Sequence, residues 1–377
     1  MGRVLMVSKP VAPPWHDSSK NLVRDVAGHL ARHSPILMTR RDATAALRAT
    51  PGLERADLRF VYTGGGSFAP ALADQARVLA SLLAGPRESL WHFFFAPNPR
   101  SSTAAKIAAR MRRVPTVQTV CSAPLPNVDL ERVLFADRVV VVSRHTERRF
   151  LEAGIAVSRL RRIPPAVAPL APPDAASRTA ARRKLDLPVD VPLIVYPGDL
   201  EVSRGAERAL RLHAALPDQD AFLVLACRAK TALAHDARIR LEALARELGA
   251  ASRVRFMGET PDIHALLASS DLVALPSEDL YAKMDLPLVL IEAMLLERAV
   301  LMLEGTAAAE LADDGAARAC PADIAALTGV SQELLGDAAL RAALGARARA
   351  AALDRYRPQA VAAQYESLYD ELLEQKP

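Results

Sequence analysis

Cysteine is scarce in this 377-residue chain. Cys121, Cys227 and Cys320 are far apart, odd in number and without a CxxC pair, which argues against a disulfide framework or a cysteine-built zinc site and leaves buried thiols. Aromatic residues make up only 5%, and none interleave with the basic clusters as base stacking would require, so no nucleic-acid partner is expected. Long apolar runs are missing too: a stretch such as Ala221 to Cys227 is far short of the roughly 20 residues needed to span a bilayer. The opening Met1-Gly2-Arg3 runs straight into Val4-Leu5-Met6-Val7 without the sections of a signal peptide, and a cytoplasmic location is expected. Neither a GxxxxGK[ST] phosphate loop nor a GxSxG elbow occurs. The acidic pair in Asp218-Gln219-Asp220 precedes a strand pattern and reads more simply as an exposed turn, so no metal site and no cofactor are expected.

What is present is a globular composition, 51% hydrophobic and 24% charged, whose core would be built chiefly of Ala, Leu and Val and whose length suits two domains. The formal charge of +5 is modest, but basic residues crowd the first half, at Arg40-Arg41, Arg110 with Arg112 and Arg113, Arg148-Arg149, and Arg159 with Arg161 and Arg162. Solvated helix faces account for most such clusters, while an anionic membrane or a phosphorylated substrate would also be attracted, which leaves room for peripheral membrane association. The oligomeric state has no signal of its own.

Short apolar runs alternate with helical spacing along the whole chain. Gly2 to Ser8, Pro35 to Thr39, Leu58 to Tyr62, Leu90 to Phe95, Thr116 to Val120 and Arg138 to Val142 read as strands, and Lys20 to Ala31 as a helix with Leu22, Val26 and Leu30 on one side. A Pro-rich break from Pro164-Pro165 to Pro173 falls near the middle. Beyond it, Leu193 to Tyr196, Phe222 to Ala226, Val254 to Met257, Leu272 to Leu275 and Val300 to Leu303 form a second set of strands, with helices over Thr231 to Leu248 and Pro287 to Leu296. The fold class is α/β, with two Rossmann-like halves rather than one barrel of eight even units. The boundaries read as 1–168, a linker over 169–190, a second domain over 191–357 and a terminal amphipathic helix over 358–377.

Specific fragments sit in the second half in a fixed order: Tyr196-Pro197-Gly198-Asp199-Leu200, Ser203-Arg204-Gly205, Val254-Arg255-Phe256-Met257-Gly258, Leu266 through Ser277, Leu288 through Met294, and Glu310 through Gly315. In that order and spacing they resemble the retaining family-four glycosyltransferases. The first half looks like the acceptor domain of the same family with looser agreement. The resemblance implies a GT-B architecture of two Rossmann-like domains facing a central cleft, a nucleotide diphosphate sugar as donor substrate, a hydroxyl-bearing acceptor, and a final helix that crosses back to the first domain. It also implies metal-independent chemistry in which the donor's own phosphate takes part.

Carried residue by residue, the resemblance gives Glu292 the ribose hydroxyls, with an exposed helix-face glutamate as the alternative. Arg204 and Gly205 match the phosphate-binding stretch, in which a guanidinium can pair with diphosphate oxygens and glycine admits the main chain; Gly198 lies in the same loop. The family's first glutamate would stand at Met284, which cannot supply a charged acceptor; Glu278, Asp279 and Asp285 are the carboxylates left to replace it, and Asp285 joins Arg204 as a catalytic candidate. Lys283 faces either a donor phosphate or solvent. Asp199 stands where an arginine is common and would repel a diphosphate unless paired or turned aside. On the acceptor side, Trp15 could stack on a ring and Asp17 and Lys20 orient it, or the loop simply packs on its domain. Cys121 reads as a core thiol, and His92, His145 and Lys106 are cleft candidates. These departures keep a second reading open, that of a catalytically inactive nucleotide-sugar-binding or partner subunit.

Overall fold

The computed structural model describes residues 2–64, 70–125, 127–217, 221–229, 231–260, 262–280 and 283–375. The acidic pair Asp218 and Asp220 lies outside the described residues. Packing divides the chain into two units: Met1–Ala168 with Ala282–Asp285 and Tyr356–Pro377, and Pro169–Tyr281 with Leu286–Arg355.

The first unit runs β1 (Arg3–Ser8), α1 (Ser18–Ala27), β2 (Ser34–Arg40), α2 (Thr44–Arg48), β3 (Asp57–Tyr62), α3 (Leu72–Ala84), β4 (Leu90–Phe94), α4 (Pro99–Arg112), β5 (Thr116–Val120), α5 (Leu130–Val133), β6 (Arg138–Val141), α6 (Arg144–Glu152) and β7 (Leu160–Arg162). All seven strands are parallel, in the order β3-β2-β1-β4-β5-β6-β7. Helices cover a parallel sheet on both faces, which is why β4 and β5 are buried at every residue. Local signals set the helix starts. Asn98 accepts from the Ser101 amide and Pro99 fills the first turn of α4, while Asp129 and Ser143 cap α5 and α6.

The second unit runs α7 (Ala175–Lys184), β8 (Leu193–Tyr196), α8 (Gly205–Ala214), β9 (Phe222–Ala226), α9 (Ala234–Glu247), β10 (Val254–Met257), α10 (Ile263–Ser269), β11 (Leu272–Leu275), α11 (Leu288–Leu295), β12 (Ala299–Leu303), β13 (Arg318–Cys320), α12 (Ile324–Gly336) and α13 (Ala338–Arg355). Its six parallel strands follow the order β10-β9-β8-β11-β12-β13. Both sheets therefore reverse direction once, between β1 and β4 and between β8 and β11.

The stretch 169–190 is not a bare linker. Asp174 caps α7, and from that helix Arg178 and Arg182 converge on the Asp271 carboxylate at 2.7 and 2.6 Å, which also accepts the Leu193 amide at 2.8 Å. Arg182 reaches on to the carbonyls of Ser269 and Val191. A buried cation with this many acceptors ties α7 to the start of β8 and to α10.

The last helix, α14 (Pro358–Glu374), completes the first unit. Tyr365 and Tyr369 are fully buried. The Tyr369 hydroxyl lies 2.6 Å from His92 Nδ1, and His92 Nε2 lies 2.7 Å from the Thr119 hydroxyl. Burial drives the His92 pKa well below its usual value, so the ring is a neutral strut between sheet and helix. His92 is thus a core residue rather than a cleft group. Glu366 accepts the backbone amides of Arg32 and His33, and Asp370 pairs with Arg32 and His33. Among the described residues, no helix is long and apolar enough to cross a membrane.

Candidate active site

In open parallel sheets, ligands bind beyond the carboxyl ends of the strands where the strand order reverses. In the second unit that point lies between β8 and β11, where the Tyr196–Leu200 and Ser203–Gly205 fragments and the end of the Leu266–Ser277 fragment fall. Tyr196 ends β8, and its buried ring floors the following loop. A Cβ on Gly198 would fall 2.1 Å from the ring's Cζ, and one on Gly205 would fall 2.1 Å from Ser277 Oγ and 2.6 Å from the Tyr196 hydroxyl. Both glycines exist because the chain folds directly over this ring. The Tyr196 hydroxyl donates to the Asp199 carbonyl at 3.0 Å, and Ser203 Oγ donates to Ser277 Oγ at 3.2 Å, joining the β8 loop to the one after β11.

Asp199 is buried, and its Oδ1 accepts the amides of Val202 at 2.8 Å and Ser203 at 2.9 Å. It shapes the loop as an Asx turn, with its charge engaged by the loop's own amides. The loop delivers the first turn of α8 with Arg204 at its cap position, where a helix N-terminus offers unpaired amides to an anion. The Arg204 side chain is 69% exposed, and its contact with Glu207 is long, at 3.8 Å. One turn later Arg208 is mostly buried, pairs with Glu278 and reaches the Pro276 carbonyl. Burial and then the neighbouring Arg204 lower the Arg208 pKa, the mark of two guanidinium groups held close together. Sequence reasoning missed Arg208, although its i+4 spacing from Arg204 puts both on one helix face.

Glu292 lies on α11, with its side chain 14% exposed and Oε1 3.5 Å from His264 Nε2 on α10. His264 was also absent from the sequence reading. The carboxylate thus faces a partly open edge rather than bulk solvent.

In the first unit, the loop after β1 carries Trp15, Asp17 and Lys20. Asp17 caps α1 through the Ser19 and Lys20 amides and pairs with Lys9 at 2.8 Å. Burial works to raise its pKa, but Lys9 and the hydrogen bonds from Lys9, Ser19 and Lys20 outweigh it and hold the carboxyl at about 2. Lys20 Nζ donates to the Ala12 carbonyl at 2.9 Å and the Pro14 carbonyl at 3.2 Å. The half-buried Trp15 ring stacks under the Arg24 guanidinium, 5.1 Å from its centroid. Much of this loop's polarity therefore fixes its own shape.

Lys283, Met284 and Asp285 group with the first unit. Asp285 is 3% exposed, and its carboxylate accepts from the Ala123 amide at 3.0 Å, the Ser143 hydroxyl at 2.9 Å and the Thr146 hydroxyl. Its own amide donates to the Cys121 carbonyl. Burial raises its pKa against the pull of these donors and of His145. Met284 is buried at 2%. Burial lowers Lys283 to about 8, within reach of a proton change near neutral pH. The Cys121 thiol is pushed up to about 12 by burial and by the Asp17 and Asp285 carboxylates, which makes it an inert core thiol. Lys106 lies at the opposite edge of the sheet from these groups, beside the starts of β5 and β6. Among the described residues, no group of three or more His, Cys, Asp or Glu is placed to hold a metal ion.

Residues 177–351 match the family described as glycosyl transferases group 1, and this span contains α8, β11, α11 and the Lys283–Asp285 segment that packs with the first unit. The second unit matches glycosyl transferases group 1 along nearly its whole length. A D-inositol 3-phosphate glycosyltransferase of Xylanimonas cellulosilytica is 32% identical over 161 residues, a match spanning 40% of this chain and 37% of that protein. The structure of Anabaena HepE in complex with UDP-glucose superposes with a TM-score of 0.80 at 18% identity, covering 99% of this chain and 100% of the other. Sucrose-phosphate synthase from Thermosynechococcus elongatus gives 0.78 at 20% identity, with 99% and 100% coverage. At these identities the likeness establishes the fold, the GT-B class with its two Rossmann-like domains.

Proposed function

We propose that the chain transfers a sugar, with retention, from a nucleotide diphosphate sugar to a hydroxyl-bearing acceptor. The observation that carries this reading is the β8–β11 reversal within the stretch that matches group 1. There a glycine-opened helix start, Arg204 and Arg208 meet the loop after β11, with Glu292 on the next helix. In the reaction the acceptor oxygen bonds to the anomeric carbon as the carbon–oxygen bond to the diphosphate breaks, and the acceptor's proton passes to the departing phosphate. The charge that develops is on the diphosphate, so amides at the α8 N-terminus and the Arg204 guanidinium stabilise it without a carboxylate nucleophile. Glu292 accepts the ribose hydroxyls. Asp285, with its oxygens held by donors of the first unit, serves as a positioning residue that fixes the Lys283 backbone near the ends of β5 and β6. Lys283 remains a donor-phosphate candidate, and the loop of Trp15, Asp17 and Lys20 an acceptor-side wall.

UDP-glucose, the ligand of the HepE structure, is the first member to test in a panel of nucleotide sugars. Thermal shift finds the binder, since a ligand that favours the folded state raises its stability, and mass analysis finds the linked product. Arg204→Ala should weaken donor binding and cut transfer more than tenfold, because a charge-assisted bond to phosphate is worth about 1.5–3 kcal/mol. Glu292→Gln should weaken both donor and nucleotide diphosphate. The reading fails if wild type neither binds nor turns over any member of the panel.

A further inference from the structure

A second charged feature lies at the other end of the first unit's sheet. A cavity of about 450 Å³ opens where β5 and β6 begin, walled by the C-terminal end of α4 and the end of α14. Lys106, Arg110, Arg113 and Arg138 line it against a single carboxylate, Asp137. That carboxylate is already engaged: its Oδ2 accepts both the amide and the hydroxyl of Thr116, each at 2.8 Å. Arg138 donates to the Asp137 carbonyl and to Gln375 Oε1, yet its buried Nε has no hydrogen-bond partner among the described residues. The floor between the cations is apolar, built of Val114, Phe135 and Leu372.

Four cations around one engaged carboxylate repel one another, and an anion held between them relieves that repulsion. Ordinary solvated helix faces spread such charges out, whereas here Lys106 and Arg110 of α4, Arg113 at its C-terminal cap and Arg138 of β6 line one concavity. The volume falls within the range of small-molecule sites. The cavity lies at the opposite edge of this sheet from the Asp17 loop and Lys283–Asp285, because strands of a parallel sheet share their direction and the five residues of β5 put about 15 Å between its two edges.

We propose that this cavity is a second ligand site that binds a phosphate monoester, with the phosphate among Arg110, Arg113, Arg138 and Lys106 and an apolar portion of the ligand on the Val114–Phe135–Leu372 floor. Phosphate is favoured over a carboxylate by the number of donors, since its dianion presents three acceptor oxygens to forked guanidinium groups. The same chemistry is offered by a soluble ester and by the headgroup of phosphatidic acid.

The test uses the full chain, titrated calorimetrically with glycerol 3-phosphate, and sedimented with phosphatidylcholine vesicles with and without phosphatidic acid. Saturable binding of the ester, or phosphatidic-acid-dependent sedimentation, is expected. Either should weaken at least tenfold in Lys106→Ala/Arg110→Ala and more in Arg110→Glu, and remain within twofold of wild type in Arg204→Ala. Both substitutions fall on an accessible face of α4, and an unchanged unfolding midpoint checks that the fold is kept. Binding of the ester alone assigns a soluble ligand, and binding of the vesicles alone assigns the headgroup. The proposal is overturned if neither binds, if the double variant binds like wild type, or if Arg204→Ala abolishes the binding instead.

Discussion

Replacing Gly205 by alanine sets two opposed effects against each other at the start of α8. Helix propensity alone favours alanine by about 1 kcal/mol. Against it, the new Cβ would lie 2.1 Å from Ser277 Oγ, 2.6 Å from the Tyr196 hydroxyl and 3.0 Å from Cε2 of the same ring, both partners being buried. Overpacking of that kind costs about 1–3 kcal/mol. Turning the Ser277 hydroxyl away also breaks its 3.2 Å bond with Ser203, about 1 kcal/mol more. The net expectation is a loss of about 1–3 kcal/mol, together with a several-fold weaker nucleotide sugar as the helix start moves off its place. Urea unfolding followed by circular dichroism reads the first quantity and calorimetry the second. Ser277→Ala in the same chain should restore only part of the loss, since the Tyr196 hydroxyl still obstructs; adding Tyr196→Phe should restore more. A Gly205→Ala protein as stable as wild type or more so would mean that propensity wins, and the close approach over Tyr196 would be refuted.

Two further outcomes follow from buried titratable groups. His213 is fully buried on α8 with Nε2 3.1 Å from the Ala221 carbonyl, and burial lowers its pKa to about 4. The unfolded chain therefore binds a proton that the folded one does not between pH 6.5 and 4, so about 3 kcal/mol of stability present above pH 6.5 is lost across that window, and His213→Gln should flatten this limb of the urea-unfolding profile. At Asp285 burial acts the other way: the folded carboxyl titrates above 3.8, so its contribution falls as pH rises through its folded value. Asp285→Asn, which keeps an acceptor for the Ala123 amide, should gain on wild type between pH 4 and 7 in unfolding free energy, whereas Asp285→Ala, which leaves that amide and two hydroxyls without their acceptor, should lose about 3 kcal/mol or more at either pH.

The parallel α/β rhythm was legible because strands buried on both faces read as continuous Val, Ile and Leu runs, and the runs ending at Val7, Val120 and Leu275 all became strands. The edge strands β7 and β13 escaped notice, being three residues each and carrying arginine, too short and too polar to show a period. Helix α7 was hidden inside the stretch 169–190 read as a linker, since its anchoring depends on Asp271 nearly 90 residues away. Asp199 illustrates a different limit. Its residue type signals charge, but its role comes from two amides three and four positions on, which only the folded loop brings to its carboxylate. Arg208 and His264 were readable in principle from helical spacing, yet nothing in their own neighbourhood marks them until the partners Glu278 and Glu292 arrive from elsewhere in the chain.

The place of α14 bears on the order in which the protein can be made. Its Tyr365 and Tyr369 occupy the interior of the first unit, where a fully buried large side chain contributes about 1.5–3 kcal/mol, and His92 in β4 meets its hydroxyl partner only there. During synthesis residues up to 168 emerge with that interior still open and one nitrogen of the His92 ring unmatched, while nearly all of the second unit, 169–355, follows as one run that can finish first. The first unit is thus begun before the second and sealed after it, once residues 356–375 have been made.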